Sequence, residues 1–435
     1  RRRHRQPDRP GVSIPSLTAT HFQFHIFERE IHDETGILFE GHPWLKPVRF
    51  PSSGGASMPG TDPYPYYSIV GEGLHEVGVG PVHAGIIEPG HFRFTCKGEQ
   101  VLHLEIRLGY QHRGVEQLFV RHRALLPQAM LAEGITGDTA VGHSLAWAML
   151  TEALSGFQPG DALRIERAIA LELERIAMHL ADTAALCTDV GYQFGQVVCE
   201  ALRTIVINTT QFWCGNRFGK GMIRAAACHH PMTARIAEEI VKNIREVASR
   251  YEQVADRIFS LPSVLSRFEG TGKITPIQAS LAGAVGMAAR SSGMHRDIRW
   301  SHPFMAYIEH ICAPVVLPQG DVWARAMLRR QEIARSAEMI LSLAETRQEG
   351  SFVPMRNGIP ALRKNAIGFS MAEGWRGEIV HVAVTGGDGE LVRYKVKDPS
   401  LHNWTALALA VRNQEISDFP LCNKSFNLSY CGHDL

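Results

Sequence analysis

Three segments of the chain repeat apolar residues at helical spacing. They span residues 161–187, 232–260 and 321–346, with apolar positions three or four residues apart and polar residues between them. An apolar stripe of this period predicts amphipathic helices that pack on one another. Asp161 follows a Pro-Gly pair and fits the N-cap position of the first helix. The pattern therefore predicts a helical bundle between residues of about 117 and 345.

Shorter runs with alternating apolar and polar residues flank this region. HFRFTC (91–96) and VLHLEIRLG (101–109) predict strands of a small sheet. Residues 376–398 predict a hairpin around Gly-Gly-Asp-Gly, and residues 399–419 predict a final helix before the C-terminal tail. The order predicts an α+β fold, mainly a helical bundle, with a small N-terminal β-sheet and a C-terminal β-hairpin.

One segment has the composition of a linker. Residues 51–67 are rich in Gly, Ser and Pro, which favour turns and irregular backbone. We therefore place a boundary near residue 60, which divides the chain into residues 1–60 and residues 61–435.

Composition excludes several classes of function. Lys plus Arg total 45 and Asp plus Glu total 44, so the chain has no net charge that would favour nucleic acid. The basic cluster at residues 1–9 is short and fits a solvated tail. We find no apolar run of about eighteen residues and no signal peptide, which predicts a chain without a transmembrane segment. The eight cysteines are scattered without a CxxC pair, which indicates reduced, buried thiols and a cytoplasmic location.

Two polar stretches carry candidate functional side chains. His83 and His91 lie in a glycine-rich stretch at predicted strand ends, where a functional histidine and an ordinary turn histidine are both open readings. In GYQHRGVE (109–116), a helix that starts near Arg113 would place His112 and Glu116 one turn apart on one face. The alternative is an exposed helix start with an acid–base pair.

A third stretch interrupts apolar helical sequence. AEGITGDTAVGHS (132–144) contains Thr136, Asp138, Thr139 and His143 among small residues. Small residues favour close packing between helices, and this is the reading that spacing supports. The alternative is a helix that is broken to form a site.

The tail, SFNLSYCGHDL, ends with Cys431-Gly-His433, and Cys422 lies nine residues before Cys431. A tetrahedral metal site needs four ligands, which usually come as close pairs. Cys431 and His433 form one short pair, so the spacing alone favours packing over metal binding. The scattered cysteines also fit no iron–sulfur cluster pattern.

Several long stretches carry a family resemblance. Residues 14–47 (IPSLTATHFQFHIFEREIHDETGILFEGHPWLKP) resemble the C-terminal part of the 30-kDa-type subunit of respiratory complex I. A second resemblance is to the start of the 49-kDa-type subunit and of the large subunit of energy-converting [NiFe] hydrogenases, and it is carried by VGPVHAGIIEPGHFRF and LEIRLGYQHRGVEQL. The match continues through IERAIALELERIAMHLADTAALCTDVGY and RYKVKDPSLHNWTALALAVRN. Both modules in one chain resemble the fused large subunit of formate hydrogenlyase. The resemblance implies the fold of these large subunits.

The same resemblance identifies where metal ligands would lie. In the hydrogenases, two Cys-x-x-Cys pairs hold nickel and iron. The four cysteine positions correspond here to Thr136, Thr139, Ser429 and Gly432, and Cys431 is one residue out of register. Threonine and serine hydroxyls stay protonated near neutral pH and bind nickel weakly. We therefore expect no [NiFe] centre and no hydrogenase activity of this chain on its own. We expect Cys431 and His433 to pack beside the vacated site, close to Thr136 and Thr139.

Other site residues follow from the resemblance. Glu116 matches the glutamate that passes protons at the hydrogenase metal site, and His83 matches a histidine of the complex I quinone pocket. The tyrosine of that pocket falls near residues 130–131, which are Met and Leu here. We expect Glu116, His83 and Asp138 to serve proton transfer or an acceptor, and His83, Arg113 and His143 to line a pocket for a quinone or another acceptor.

The resemblance implies a place in a larger assembly. We expect a peripheral subunit on the cytoplasmic side of the inner membrane, docked on an iron–sulfur small subunit that carries a [4Fe-4S] cluster and on membrane-arm subunits. This chain would bind no cofactor itself and would support electron transfer coupled to proton or ion movement. The alternatives are a quinone-reducing subunit that uses His83 and a purely structural subunit.

Overall fold

The computed structural model describes residues 12–49, 64–83, 87–346 and 359–435. Most of the linker predicted at 51–67 lies outside these residues. The strands, in chain order, are β1 (Ser13–Pro15), β2 (Leu38–Glu40), β3 (Leu74–Val79), β4 (His91–Lys97), β5 (Gln100–Arg107), β6 (Ile223–Arg224), β7 (Ala227–Cys228), β8 (Ile367–Glu373), β9 (Glu378–Thr385) and β10 (Leu391–Lys397).

Helices make up most of the described residues and confirm the α+β class with a dominant bundle. In chain order they are α1 (His25–Thr35), α2 (Val115–Arg121), α3 (Leu125–Glu133), α4 (Ala140–Ser155), α5 (Asp161–Asp189), α6 (Gln193–Cys214), α7 (Ala234–Ile258), α8 (Pro262–Phe268), α9 (Pro276–Ala282), α10 (Gly286–Arg290), α11 (Ile298–Ser301), α12 (Val322–Thr346), α13 (Ser400–Ala410), α14 (Phe419–Phe426) and α15 (Tyr430–Asp434).

The bundle is centred on α5, which packs against α6 and α12, while α7 packs on both of those helices. The three helices predicted from periodicity are confirmed as α5, α7 and α12. The predicted N-cap of α5 is wrong: Gly160 is the N-cap and Asp161 is the first helical residue. The Asp161 carboxylate instead accepts a hydrogen bond from Arg164 Nη1 at 3.0 Å, one turn further along.

Both predicted sheet regions are present as three-stranded antiparallel sheets. Strands β3, β4 and β5 form the N-terminal sheet, and the buried face of β4 carries Phe92 and Phe94. The predicted hairpin is confirmed as β9 and β10, and β8, which the sequence reading missed, pairs with the other edge of β9. Alternate residues of β9 point into the core, and His381 is one of them.

The C-terminal tail is helical and buried, which differs from the prediction. The final helix ends at Ala410, and α14 and α15 follow it. Asn427 separates these two helices in the left-handed conformation, with φ 44°. The carbonyl oxygen of Leu435 accepts the backbone N–H of Arg113 at 2.9 Å, and Asp434 accepts the N–H of Gly109 at 2.8 Å. The tail therefore holds the loop that precedes α2.

The described part of the N-terminal segment lies against the larger domain. Lys46 forms an ion pair with Glu105 of β5 at 2.6 Å, and Phe27 meets His402 of α13 edge-on. Glu30 of α1 contacts Lys395 of β10. Residues on both sides of the proposed boundary thus share one interface.

A buried network of charges joins the centre of the bundle to its short helices. Arg290 contacts Glu332, Glu373 and Asp297, and Arg299 contacts Glu332, Asp297 and Glu172. These side chains are almost entirely shielded from solvent. Buried charges are tolerated when each is paired and hydrogen-bonded, so this network fixes the relative positions of α5, α10, α11, α12 and β8.

Candidate functional site

The candidate site is built around the gap between α3 and α4. The sequence favoured small residues within a helix that packs closely on its neighbours, and this prediction is wrong for residues 134–139. The helix is interrupted there, because α3 ends at Glu133 and α4 starts at Ala140. Arg113 donates to the carbonyl oxygens of Gly134 and Ile135, both at 2.7 Å, and so satisfies groups that the end of α3 leaves free.

The start of α4 is held by a carboxyl group. Glu174 accepts the N–H groups of Val141 at 2.7 Å and Gly142 at 3.1 Å. Burial raises the pKa of Glu174 to about 8. Close packing is also present here, since a Cβ atom on Gly142 would lie 2.9 Å from Ile379 Cδ1.

The tail approaches this gap, as expected from the resemblance. A Cβ atom on Gly432 would lie 2.8 Å from Thr136 Cγ2 and 2.7 Å from Asp398 Cγ. Ser429 caps α15 by accepting the N–H of Gly432 at 2.9 Å, and its Oγ lies 3.4 Å from Cys431 Sγ. Two of the predicted ligand positions, 136 and 432, therefore touch each other.

The four predicted ligand positions carry three hydroxyl groups and one glycine, and two of the hydroxyl groups already form hydrogen bonds within the protein. Thr139 Oγ1 accepts Trp375 Nε1 at 3.1 Å and Arg376 Nη1 at 3.3 Å. Thr136 Oγ1 is buried and has no hydrogen-bond partner among the described residues. Burial raises the pKa of the neighbouring Cys431 thiol to about 11, so this sulfur is protonated at neutral pH. Across the described residues, no group of three or more His, Cys, Asp or Glu side chains is arranged to hold a metal ion.

Asp138 forms a bidentate ion pair with Arg376, and both oxygen–nitrogen distances are 2.7 Å. The guanidinium carbon lies 3.9 Å from the centroid of the Trp375 ring, and Arg376 Nε donates to the carbonyl oxygen of Asn427 at 2.5 Å. Asp138 and hydrogen bonding to it favour the charged form of Arg376 and raise its pKa despite its burial. The structure thus places Asp138 in a fixed ion pair at the rim of the gap.

His143 belongs to a line of buried polar side chains. Its Nε2 lies 3.0 Å from Asp398 Oδ2, and its Nδ1 lies 3.2 Å from His381 Nε2. His381 Nδ1 lies 2.7 Å from the Tyr394 hydroxyl. Burial holds the pKa of His381 well below its usual value. Burial, together with the nearby Glu116 carboxylate, holds the pKa of the Tyr394 hydroxyl well above its usual value. This line connects the gap to the sheet of β9 and β10.

The predicted pairing of His112 with Glu116 on one helix face is wrong. Helix α2 starts at Val115, so His112 precedes it and its Nδ1 lies 2.9 Å from the carbonyl oxygen of Asp434. Glu116 instead accepts the N–H of Val396 at 3.0 Å and pairs with Lys395 at 3.0 Å. Glu116 therefore lies beside Tyr394 on β10.

His83 lies in the connection between β3 and β4, and its Nε2 lies 3.0 Å from the carbonyl oxygen of Gly90. Residues 84–86 of this connection lie outside the described residues. The connection reaches the tail, because Glu88 accepts the N–H of Cys431 at 3.3 Å. The structure brings Arg113, Asp138, His143 and the tail around one gap, while the His83 ring is bonded within its own turn.

Five residues of the site were not predicted from the sequence: Arg376, His381, Tyr394, Asp398 and Glu174. A signal existed for two of them. In the hairpin register His381 pairs with Val396, so Tyr394 is its diagonal neighbour on the same face. Arg376 and Asp398 lie at the two ends of the predicted hairpin segment, and Glu174 lies far away in the chain on α5. No local pattern links these three residues to the gap.

The chain is similar in sequence to subunits of respiratory complexes and membrane-bound hydrogenases. The family model described as "Respiratory-chain NADH dehydrogenase, 49 Kd subunit" matches residues 189–371, and the corresponding 30 Kd subunit model matches residues 3–59. Formate hydrogenlyase subunit 5 of Escherichia coli is 28% identical over 93% of this chain and 74% of that protein. The membrane-bound hydrogenase subunit alpha of Pyrococcus furiosus is 28% identical over 78% of this chain and 82% of that protein.

A further relative is the C/D subunit of the NADH-quinone oxidoreductase of Bacteroides thetaiotaomicron, which is 24% identical over 94% of this chain and 83% of its own length. Among solved structures, a chain of the archaeal membrane-bound sulfane sulfur reductase superposes with a TM-score of 0.77. That match covers 85% of this chain and 100% of the other at 19% identity, and it shows a shared fold. None of the described helices is long and apolar enough to cross a membrane.

Proposed function

We propose that this chain serves a membrane-associated respiratory complex without holding a nickel–iron centre. It combines 30-kDa-type and 49-kDa-type regions and is a homologue of hydrogenase and complex I large subunits. In this proposal it is the large subunit of a peripheral arm. It supports electron transfer coupled to proton or ion movement.

The observation that carries the proposal is the chemistry of the four ligand positions. A nickel–iron centre bound by thiolates needs ionised sulfur and space between the ligands. Here Thr136 and Gly432 are in contact, the Thr139 hydroxyl is bonded to Trp375 and Arg376, and the Ser429 hydroxyl caps α15. These residues do not fit a thiolate-bound metal centre, so the gap keeps the fold of the site with different chemistry.

What the gap retains is a set of groups that can hold charge. Asp138 and Arg376 form a fixed ion pair, and the Asp398 carboxylate lies beside His143. The Asp138–Arg376 pair keeps its charges because each partner stabilises the other. The buried Asp398 carboxylate accepts hydrogen bonds from His143 and from the N–H of Ser400. We infer that these groups compensate charge when an electron arrives at a neighbouring cofactor.

That cofactor is proposed to be a [4Fe-4S] cluster in an iron–sulfur small subunit, with membrane-arm subunits completing the complex. The names of the relatives support this placement, since they include a membrane-bound hydrogenase, a formate hydrogenlyase and an NADH-quinone oxidoreductase. The chain would then lie peripherally, on the cytoplasmic side of the inner membrane.

The test is purification of this chain from native membranes with a mild detergent, followed by identification of every co-purifying subunit. We expect an iron–sulfur subunit, detected by its visible absorption and by electron paramagnetic resonance after reduction, together with membrane proteins. A chain that elutes alone from freshly solubilised membranes would overturn the proposal.

A quinone-reducing role through His83 is the second candidate, because His83 matches a quinone-pocket histidine of the relatives and Glu88, in the same connection, contacts the tail at Cys431. His83→Ala should abolish quinone-dependent electron transfer in the purified complex under this alternative. His75→Ala, on the neighbouring strand β3, is the matched surface control. Loss of quinone reduction in His83→Ala alone would support the alternative over the main proposal.

A further inference from the structure

Four polar side chains form an unbroken hydrogen-bonded line through the core: Asp398, His143, His381 and Tyr394. The successive distances are 3.0 Å, 3.2 Å and 2.7 Å. His143 and His381 have no measurable exposure, Asp398 has 1% and Tyr394 has 7%. Water therefore has little access to the line, and each group depends on its neighbours for hydrogen bonds.

The distances allow one consistent direction of donation when both imidazoles are neutral. The Tyr394 hydroxyl donates to His381 Nδ1, His381 Nε2–H donates to His143 Nδ1, and His143 Nε2–H donates to Asp398 Oδ2. The other oxygen of Asp398 accepts the N–H of Ser400 at 2.7 Å, so the carboxylate presents Oδ2 to His143. Each ring nitrogen then has a defined role, as imidazole chemistry requires.

The two ends of the line lie in different surroundings. Asp398 lies at the gap, against Gly432 and close to Thr136. Tyr394 stacks on Phe119 with ring centroids 4.1 Å apart. It precedes Lys395 in β10, and the Glu116 carboxylate, which pairs with Lys395, is near enough to act on it electrostatically. The Lys395 side chain is 33% exposed and also contacts Glu30 of the N-terminal segment. The line thus runs from a charged, partly solvated patch to the candidate site.

We propose that Tyr394, His381, His143 and Asp398 form a proton wire that links the patch of Glu116, Lys395 and Glu30 to the gap between α3 and α4. A proton from solvent enters at this patch and binds the Tyr394 oxygen as the hydroxyl proton moves to His381 Nδ1. His381 then passes its Nε2 proton to His143 Nδ1. One proton enters, each bond that forms replaces one that breaks, and His143 ends as an imidazolium beside the Asp398 carboxylate. The wire deepens the proposed function and rests on it, because its role is to compensate an electron that arrives near the gap.

Tyr394→Phe tests the wire with the smallest change, because it keeps the ring that stacks on Phe119 and removes only the hydroxyl. Tyr251→Phe is the matched control, since Tyr251 is also buried and its hydroxyl contacts Thr183 at 3.2 Å, outside the line. His381→Gln is the second variant: glutamine can donate and accept hydrogen bonds but cannot exchange protons between two ring nitrogens.

The experiment follows proton uptake with a pH-indicator dye in a stopped-flow instrument. The purified native complex is reduced there by the methyl viologen radical cation, which gives up one electron and releases no proton. Visible absorption records the reduction of the iron–sulfur subunit in the same mixing. We expect Tyr394→Phe and His381→Gln to slow proton uptake by about a hundredfold, the lower range of what a positioned proton donor contributes, with reduction rates unchanged. Tyr251→Phe should match the unaltered complex.

Normal proton uptake in Tyr394→Phe and His381→Gln, beside measurable uptake in the unaltered complex, would overturn the wire and leave the proposed function in place. An unaltered complex that is reduced without taking up protons would overturn the coupling in the proposed function, and the wire with it. Thermal unfolding of all variants shows whether they are folded. If one of the two test variants, Tyr394→Phe or His381→Gln, unfolds at a markedly lower temperature than the unaltered complex, the comparison uses the remaining variant.

Discussion

Placing a side chain at position 432 should destabilise the fold, because the tail closes tightly on the gap at this residue. In Gly432→Ala the new Cβ atom would lie 2.7 Å from Asp398 Cγ and 2.8 Å from Thr136 Cγ2. Carbon atoms at optimal contact lie about 3.5–4.0 Å apart, so both of these neighbours must move away by close to 1 Å. Asp398 cannot move freely, since it is held by His143 at 3.0 Å and by Ser400 at 2.7 Å.

The expected magnitude follows from two opposing effects. Overpacking of a core costs about 1–3 kcal/mol, while alanine in place of glycine within a helix gains about 0.5–1 kcal/mol. At the middle of both ranges, these effects leave a net loss of about 1 kcal/mol. For a chain of 435 residues the unfolding entropy is about 0.9 kcal/mol/K, so the melting temperature should fall by about 1 °C.

Differential scanning calorimetry of the purified chain measures this shift. Gly137→Ala is the matched control: it lies in the same gap, but an added Cβ atom would meet nothing within 4 Å. We expect Gly137→Ala to unfold at the original temperature or slightly above it. Equal melting temperatures for the two variants would refute the close contact between the tail and the gap.

Two further predictions concern charge and pH. Arg290→Met should lower the free energy of unfolding by about 3–5 kcal/mol, because it leaves Glu373 buried without its Arg290 partner and leaves Glu332 with Arg299 and His179. Arg250→Met breaks an exposed pair with Glu246 and should cost less than about 1 kcal/mol; chemical denaturation of both variants checks this. Burial, with Lys397 and Arg296 nearby, lowers the pKa of His402 to about 3, so unfolding gains a proton there and stability falls as pH drops from about 6.5. Urea unfolding at pH 6 and pH 4 should show His402→Leu losing about 1.4 kcal/mol less per pH unit than the unaltered chain, and equal slopes would contradict this assignment.

The long helices could be predicted because their stabilising contacts follow a local period. The segment predicted at 161–187 is a helix at Asp161–Asp189, and that predicted at 321–346 is a helix at Val322–Thr346. By contrast, α4 is buried on nearly all sides and has no single apolar stripe. The spacing of its apolar residues therefore could not predict that it starts at Ala140. The short helices of the tail depend on a left-handed turn at Asn427 and on burial against the gap, which are tertiary effects.

The site shows the same division between local and long-range signals. Thr136, Thr139, Ser429 and Gly432 were identified by family resemblance, and the structure brings positions 136 and 432 into contact. The pairing of Asp138 with Arg376 joins residues 238 positions apart, and His143 meets His381 across the same separation. Such pairs have no sequence period, so only the folded chain reveals that the Asp138 carboxylate is paired with Arg376.

The N-terminal segment also gained a role that composition did not suggest. Glu30 of α1 reaches Lys395, which pairs with Glu116. The short 30-kDa-type segment therefore completes the charged patch at one end of the buried line. A fused chain keeps this contact intramolecular, which gives it a high effective concentration.

We propose that this chain keeps the fold of a hydrogenase-type large subunit without holding nickel. The most direct test is the nickel content of the native complex, purified from cells grown with added nickel and measured by inductively coupled plasma mass spectrometry against the amount of this chain. We predict less than about a tenth of a nickel atom per chain, because three hydroxyl groups and a glycine at the four ligand positions bind nickel too weakly to survive purification. Nickel at close to one atom per chain would contradict the claim.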